Sequence, residues 1–109
     1  MPDTWVTDLT HFLNENGSIA PPSGSARKLA EHIVAIVTEL SSELADIGGF
    51  EKVPCRRRPG RRRCGGLIES WVDPETGEIC WHCSRCGDNG YIRNWEGTMW
   101  DLTHDASSR

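Results

Sequence analysis

Apolar residues recur at steps of three and four along residues 26–46, with polar residues between them. The apolar positions are Leu29, Ile33, Ile36, Val37, Leu40 and Leu44. This spacing places them on one side of a helix, so the pattern predicts an amphipathic helix near 26–46. Ser25 is the predicted N-cap, and Gly48 and Gly49 suit the left-handed turn that ends a helix. The stripe is interpreted as a core face, with the seam of a dimer as the alternative.

Residues 1–24 have a mixed pattern and are interpreted as an accessory segment. The stretch WVTDLTHFL predicts one or two helical turns with Thr7 as a cap, and NENGSIAPPSG supplies the turn residues that end them. The apolar residues of this segment are expected to lie against the main body of the protein: Trp5, Leu9, Phe12 and Ile19.

From Phe50 onward, short apolar and β-branched runs alternate with turn residues, which is typical of strands. The predicted strands are 52–57, 62–72, 78–83, 90–95 and 98–102. Four of the five tryptophans fall in this part and are expected in the core: Trp71, Trp81, Trp95 and Trp100. The prediction is an α+β single domain in which one long helix packs on a small antiparallel sheet. Its parts are the accessory segment (1–24), the helix (25–49) and the β region (50–104).

The length of 109 residues fits one domain, whose core is small enough to gain from a bound metal. No apolar run approaches the ~20 residues of a membrane helix, so no membrane partner is expected. The start, MPDTWVTDLT, lacks the basic end and apolar core of a signal peptide, which predicts a cytoplasmic protein. Because that compartment is reducing, clustered cysteines are expected to bind metal and not to form disulfides.

The formal net charge of −4 argues against a general nucleic-acid coat protein, but the charge is unevenly spread. Residues 1–54 hold three basic and eight acidic residues, whereas 55–109 hold nine basic and eight acidic residues. Six of those nine are arginines of the stretch CRRRPGRRRC: Arg56, Arg57, Arg58, Arg61, Arg62 and Arg63. Such a cluster is typical of surfaces that contact phosphates.

The cysteines all lie in the second half of the chain: Cys55, Cys64, Cys80, Cys83 and Cys86. CRRRPGRRRC is nearly a palindrome around Pro59 and Gly60, which predicts a hairpin with Cys55 opposite Cys64. Directly opposed residues on antiparallel strands have Cβ atoms about 4.5–5.5 Å apart. Both thiolates of this pair could therefore reach one metal ion.

The second cysteine pair lies in CSRCG, where Cys83 and Cys86 have the C-x-x-C-G form of a zinc knuckle. Side chains on a strand alternate between its faces, so Cys80 and Cys83, three residues apart, point to opposite sides. The sequence therefore predicts a tetrahedral site of Cys55, Cys64, Cys83 and Cys86, with Cys80 as a free thiol.

Four thiolates leave no open position for water or substrate, so the predicted site holds one structural Zn²⁺ and performs no reaction. Iron in a rubredoxin-like site is the rival metal, although only one of the two cysteine pairs has the close knuckle spacing. A dithiol redox role for Cys83 and Cys86 lacks the βαβ context in which such motifs occur.

Over roughly residues 50–103 the chain resembles a family of small bacterial proteins to which no activity is assigned. The resemblance rests on CRRRPGRRRC followed by the pattern C-x-x-C-G-D-x-G-x-I-x-x-W-x-G-T-x-W-D. It implies metal ligands at Cys55, Cys64, Cys83 and Cys86. The segment is also similar to zinc ribbons, although those carry two short knuckles where this chain has a longer step from Cys55 to Cys64.

Binding is the predicted function, with nucleic acid or another polyanion as the partner. The predicted contact residues are Arg56, Arg57, Arg58, Arg61, Arg62, Arg63 and Arg85, and Arg93 extends the patch. Alternatively, the arginines pair with acidic residues of the first half: Glu39, Glu43, Asp46 and Glu51. A third interpretation is a protein adaptor that presents the sheet, the helix or the GDNG turn, by analogy with zinc ribbons.

An enzyme is the least favoured interpretation, and no catalytic residue or small-molecule substrate is predicted. None of the four histidines stands beside a carboxylate at the spacing of a catalytic site. The polar pair Asp88 and Asn89 is explained by the residue types that turns require. The sequence contains no phosphate loop, nucleophile elbow or dinucleotide fingerprint.

Overall fold

The computed structural model of the chain describes residues 4–47, 49–56, 62 and 64–103. In these ranges it contains one α-helix and a four-stranded mixed sheet, so the fold is α+β. The elements are α1 (Gly24–Leu44), β1 (Thr4–Asp8), β2 (Ile68–Val72), β3 (Ile79–Cys83) and β4 (Asn89–Arg93). No helix in these ranges combines the length and the apolar character needed to cross a bilayer.

The predicted helix is present as α1, with both ends two residues earlier than expected. It begins after Ser23, whose side chain makes no capping hydrogen bond, so the predicted cap at Ser25 is wrong. Most of the predicted apolar stripe lies in the core. Leu29 is partly buried and Leu44 is 54% exposed, but four members are at most 4% exposed: Ile33, Ile36, Val37 and Leu40. This burial confirms the interpretation of the stripe as a core face.

The helix ends on a left-handed residue, but that residue is Asp46 (φ 55°) and not a glycine. The N–H of Asp46 donates to the Glu43 carbonyl at 3.1 Å, and the N–H of Ile47 donates to the Ser42 carbonyl at 3.0 Å. These two bonds form a Schellman motif, which satisfies the last carbonyls of the helix. Gly49 is also left-handed (φ 85°), whereas Gly48 lies outside the described residues.

The strand order in the sheet is β1-β4-β3-β2. β3 pairs antiparallel with both β2 and β4, as predicted, but β1 pairs parallel with β4. The prediction of an antiparallel sheet is therefore wrong at β1. Hairpins can be predicted from the turn that joins their strands, whereas a parallel neighbour from the other end of the chain leaves no such signal.

The N-terminal segment forms β1 where helical turns capped by Thr7 were predicted. The helical part is a single 3₁₀ turn, Leu9–Phe12, and its cap is Asp8, whose Oδ1 accepts a hydrogen bond from the Thr10 N–H at 3.0 Å. Trp5 was expected against the main body, but it is 52% exposed. The accessory segment thus contributes a strand to the same sheet as the C-terminal half.

The other predicted strands are shorter than expected or absent. In the described part of 52–57 there is one isolated bridge, between Pro54 and Leu67, and in that of 62–72 the strand is β2. Residues 98–102 form a turn, in which the Asp101 N–H donates to the Thr98 carbonyl at 3.0 Å. Left-handed Gly65 (φ 76°) interrupts the second of these segments, because a strand needs extended backbone.

The two faces of the sheet have different surroundings. The face toward α1 carries the core residues of β2, β3 and β4, which are Ile68, Ile79, Trp81, Cys83 and Ile92. Of the four tryptophans expected in the core, Trp81 and Trp95 are buried, Trp100 is partly buried and Trp71 is 46% exposed.

On the opposite face, four residues stand in register across all four strands: Val6, Tyr91, Cys80 and Trp71. We call these four residues the outer row. Three of them are large and exposed, namely Val6 (59%), Tyr91 (41%) and Trp71 (46%).

Candidate metal centre

Four cysteines lie together at one end of the sheet. Their Sγ atoms are all within 4.8 Å of one another, and they belong to Cys55, Cys64, Cys83 and Cys86. Three of these residues are buried and Cys86 is partly buried. The structure thus brings together the four residues that the sequence predicted as metal ligands, and the cluster could hold a metal ion.

The spacing of the sulfur atoms suits a metal and not a disulfide. Cys64 Sγ lies 3.5 Å from Cys83 Sγ, and Cys55 Sγ lies 3.7 Å from Cys86 Sγ. A disulfide would bring two sulfurs to about 2.05 Å. A tetrahedral Zn²⁺ with Zn–S bonds of about 2.3 Å separates its sulfurs by about 3.8 Å. The donor set and its spacing therefore fit a four-thiolate metal site.

The first cysteine pair is held by a short antiparallel contact next to β2. The Cys55 N–H donates to the Gly66 carbonyl at 2.9 Å, and the Ile68 N–H donates to the Val53 carbonyl at 2.8 Å. Cys55 therefore faces Gly66 and not Cys64, so the predicted hairpin register is off by two residues. Cys64 reaches the cluster because the chain turns at Gly65.

Gly66 leaves the space that the cysteine cluster occupies. A Cβ atom at this position would lie 2.5 Å from Cys83 Sγ and 3.4 Å from Cys64 Sγ. No side chain fits there without moving a sulfur atom. Sequence reasoning missed this residue, although the Gly-Gly step directly after Cys64 is a signal of close backbone approach.

The second cysteine pair is held by a turn at the end of β3. The Gly87 N–H donates to the Cys83 carbonyl at 2.9 Å, and the Cys83 N–H donates to the Asp88 carbonyl at 2.7 Å. Gly87 takes the left-handed conformation (φ 81°) that closes this turn. The predicted knuckle geometry of Cys83 and Cys86 is therefore present.

The surroundings of the cluster lower the pKa of one of its thiols and raise the pKa of another. Burial acts to raise the pKa of Cys83, but the backbone N–H groups of Cys86 and Arg85 and the neighbouring thiols lower it to about 7. For Cys64, the Gly66 backbone acts to lower the pKa, but burial and the thiols of Cys83 and Cys86 raise it above its usual value. Metal ligands must be thiolates, so the N–H groups around Cys83 favour the form of this residue that binds metal.

Cys80 does not belong to the cluster. It stands in the outer row, on the face opposite Cys83, as strand alternation predicted. It is only 7% exposed, and burial, followed by the charges of Asp73 and Glu78, raises its pKa. Its thiol is therefore protonated at neutral pH, as expected of a cysteine that does not bind the metal.

Asp88 joins the knuckle to the N-terminal strand. Its side chain is buried (3% exposed), and its Oδ1 accepts a hydrogen bond from the indole Nε1–H of Trp5 at 3.2 Å. Because the Asp88 carbonyl also binds the Cys83 N–H, one residue contacts both β1 and the cysteine turn. The sequence analysis attributed Asp88 to turn chemistry alone and missed this contact.

Three of the predicted contact arginines lie next to the cysteines in the described part of the chain. Arg56 follows Cys55, Arg62 precedes Cys64 by two residues and Arg85 lies inside the knuckle, and all three are exposed. The other four predicted residues, Arg57, Arg58, Arg61 and Arg63, lie outside the described residues.

The predicted pairing of arginines with helix carboxylates is not seen among the described residues. Glu39 and Glu43 instead contact Lys52, whose Nζ lies 3.4 and 3.5 Å from their carboxylates and 3.3 Å from that of Glu69. In the same ranges, neither Asp46 nor Glu51 forms an ion pair with Arg56, Arg62 or Arg85.

Arg93, predicted to extend the patch, pairs with Glu78 at 2.6 Å.

One histidine does lie near a carboxylate. His11 Nε2 is 3.7 Å from Asp8 Oδ2, but the histidine side chain is 78% exposed. Asp8 already accepts hydrogen bonds from Thr10 and Asn94. The arrangement thus caps an exposed turn.

Comparisons of the chain with protein-family models, with curated proteins and with solved structures found no match. The resemblance to a family of small bacterial proteins therefore stays a prediction.

Proposed function

We propose that this chain is a small non-catalytic domain that binds one structural Zn²⁺ through Cys55, Cys64, Cys83 and Cys86. The observation that carries the proposal is the convergence of four Sγ atoms within 4.8 Å of one another. Four sulfur donors suit zinc, and they fill its tetrahedral coordination without leaving a position for water or substrate.

When bound, the ion would join segments that are distant in the sequence. The residues of the chain prepare the site in two ways. The N–H groups of Arg85 and Cys86 orient and stabilise the thiolate of Cys83, and Gly66 leaves room for the sulfurs. Because metal binding draws these segments together, its free energy adds to the free energy of folding.

Metal content and stability test this proposal. We expect the purified chain to hold one zinc per molecule and to unfold at a much lower temperature after chelation. Serine at Cys64 or Cys83 is expected to abolish metal binding, whereas serine at Cys80, the matched control, leaves it intact. Iron in place of zinc, or loss of metal in the Cys80→Ser variant, would contradict the proposal.

We propose further that the arginine hairpin 55–64 contacts a polyanion such as nucleic acid. The support is that Arg56, Arg62 and Arg85 are exposed and, within the described residues, form no ion pair. A site of one Zn²⁺ and four thiolates carries a net charge of −2, and this charge is a second reason for nearby arginines. If the arginines bind phosphates, the affinity for a polyanion falls as the salt concentration rises. If they only compensate the charge of the zinc site, no polyanion binding is expected.

A titration with DNA and RNA at about 50 and 200 mM salt separates these explanations. If six arginines contact phosphates, affinity is expected to fall about a thousandfold between the two salt concentrations. Glutamine at the six hairpin arginines should abolish binding, whereas glutamine at Arg27 and Lys28, on the helix, should not. No binding at low salt would leave charge compensation as the role of the arginines.

A protein adaptor is the second candidate function, and the outer row favours it. Val6, Tyr91 and Trp71 form an exposed apolar line across the sheet, on the face away from α1. Exposed apolar patches of this kind often mark protein contacts. Serine at Trp71 and Tyr91 would remove binding of such a partner while leaving nucleic-acid binding unchanged.

A further inference from the structure

An open cavity of about 460 Å³ lies against the side of α1, away from the cysteines. Much of its wall is apolar and is formed by Ile19, Val34, Phe50, Val53 and Trp100. Its volume is in the range of small-molecule sites, which are typically apolar with a few polar groups at fixed positions.

Negative charge predominates among the side chains that line this cavity. Arg27 is its one described cation, and Arg27 Nε already lies 3.8 Å from Glu31 Oε1. Glu39 and Glu51 are the remaining charged residues of the wall. Lys52 contacts Glu39 from outside the cavity but shares its charge with Glu43 and Glu69. The cavity is therefore complementary to a cation.

Glu39 has a hydrogen-bonding position that no described residue fills. Its side chain is 4% exposed, its Oε1 lies 3.4 Å from Lys52 Nζ, and its Oε2 is buried without a hydrogen-bond partner. A buried acceptor without a donor is costly and uncommon in folded proteins. Glu39 is one of the residues that line the cavity, and the terminal torsion of a glutamate is soft, so its carboxylate can adjust to a donor that enters there.

We propose that this cavity binds a small apolar molecule that carries a primary ammonium group. The apolar body of the ligand lies against Phe50, Val53 and Trp100, and the ammonium donates a hydrogen bond to Glu39 Oε2. The proposal does not depend on the zinc site or on the arginine hairpin.

A second cavity, of about 420 Å³, does not support a comparable proposal. It lies between the β2–β3 turn and the end of β4. Glu78 and Arg93 in its wall already pair with each other at 2.6 Å, and no buried acceptor without a partner is found among its described residues, since its third charged residue, Glu96, is exposed. Glu39 is what distinguishes the first cavity.

Phenethylamine is a suitable probe, because it joins one aromatic ring to one ammonium group. It would be titrated into the metal-loaded full chain, with amide and indole shifts followed by NMR and phenethyl alcohol as the neutral comparison. We expect saturable shifts at Val53 and at the Trp100 indole, with the alcohol binding at least about tenfold more weakly.

Two glutamine variants locate the charge that the ligand recognises. Glu39→Gln is expected to weaken phenethylamine binding about tenfold or more and to leave phenethyl alcohol unchanged. Glu43→Gln is the matched control, since Glu43 contacts the same lysine but does not line the cavity. It should leave the affinity for phenethylamine within about twofold.

Three results would overturn the proposal. One is the absence of saturable shifts up to about 10 mM, near the affinity expected of so small a ligand. Another is equal binding of the amine and the alcohol by the unmodified chain, a comparison that holds even if Glu39→Gln fails to fold. The third is an equal effect of the two glutamine substitutions.

Discussion

Gly66 is the single residue whose replacement should affect the cysteine cluster most directly. An alanine Cβ there would lie 2.5 Å from Cys83 Sγ, well inside van der Waals contact. We expect Gly66→Ala to weaken zinc binding at least about tenfold, because a displaced sulfur loses tetrahedral geometry. Competition with a chromophoric chelator measures this affinity.

Gly97→Ala is the control for this substitution. Gly97 is left-handed (φ 77°), and a Cβ there meets no atom within 4 Å. Alanine at Gly97 should lower stability through backbone strain but leave the zinc affinity of the folded chain unchanged. Equal zinc affinities in the two variants would show that the space at Gly66 is not needed by the metal site.

His32 should make the protein less stable in mild acid. Burial, with a smaller contribution from the charge of Arg56, lowers the pKa of His32 from 6.5 to about 4. The His32 ring stands edge to face with the Trp81 ring, with 6.0 Å between the ring centroids. The Nε2 atom of His32 has no hydrogen-bond partner among the described residues. As pH falls from 6.5 toward 4, the unfolded chain binds a proton that the folded chain does not, so the free energy of unfolding falls.

The expected loss from His32 between pH 7 and pH 5 is at most about 2 kcal/mol. His32→Gln removes this titration and keeps all the others, so the variant should lose less stability than the parent over the same range. Urea denaturation at the two pH values measures both changes. Parallel losses in the two proteins would mean that His32 is solvated or becomes protonated in the folded state.

At the scale of elements, the end of α1 offers a stabilising change. Asp46 occupies a left-handed position that glycine adopts more readily, and its negative charge lies at the negative end of the helix dipole. We expect Asp46→Gly to raise the free energy of unfolding by about 0.5–1 kcal/mol, measured by urea denaturation. Asp46→Ala should lower it, because alanine adopts the left-handed conformation less readily than aspartate, and this added strain outweighs the removal of the charge.

The contact between β1 and the knuckle should couple N-terminal structure to metal binding. Trp5 reaches the side chain of Asp88, whose carbonyl binds the Cys83 N–H. We expect Trp5→Phe to lower zinc affinity about threefold to tenfold, because the loss of this hydrogen bond loosens the turn that holds Cys83.

Val6→Thr is the control for the β1 contact, since Val6 lies in the same strand with its side chain 59% exposed. Its zinc affinity should equal that of the parent. Chelation should also speed amide exchange in β1 more than in α1, as reciprocal coupling requires. Equal affinities for Trp5→Phe and Val6→Thr would show that β1 and the metal site are independent.

The elements differ in how much of them the sequence predicts. The stripe of α1 repeats over about four turns, so it defines the helix to within two residues at each end. β1 has only five residues and pairs in parallel with β4, at the other end of the chain, so neither length nor a joining turn indicates it. The predicted strand 62–72 was too long, because Gly65 is left-handed and interrupts the extended backbone before β2 begins.

The candidate site also contains residues that local sequence patterns identify and residues that such patterns miss. Three local patterns identified the four cysteines: the near-palindrome for Cys55 and Cys64, the C-x-x-C-G spacing for Cys83 and Cys86, and the strand alternation that set Cys80 apart. Gly66 and Asp88 act through contacts between segments that are distant in the chain, with Cys83 Sγ and Trp5 respectively. Single-sequence patterns carry no record of such contacts, so both residues were missed.

For the whole molecule, the cysteine cluster connects the parts of a small core. Cys55, Cys64 and Cys83 belong to the same buried cluster as the inward residues of α1 and the sheet. Binding of a metal would therefore stabilise the core as well as the loop that carries the arginines. Arg56, Arg62 and Arg85 lie near the cluster, whereas the outer row lies on the far face of the sheet, so the two kinds of partner proposed above would use different surfaces.

The central claim is that one Zn²⁺ is bound by four cysteine sulfurs, and X-ray absorption at the zinc edge of the loaded protein tests it most directly. We predict a single shell of four sulfurs at about 2.3 Å, with the same spectrum for the Cys80→Ser variant. A shell that contains nitrogen or oxygen, fewer than four sulfurs, or a spectrum that changes when Cys80 is replaced would contradict the claim.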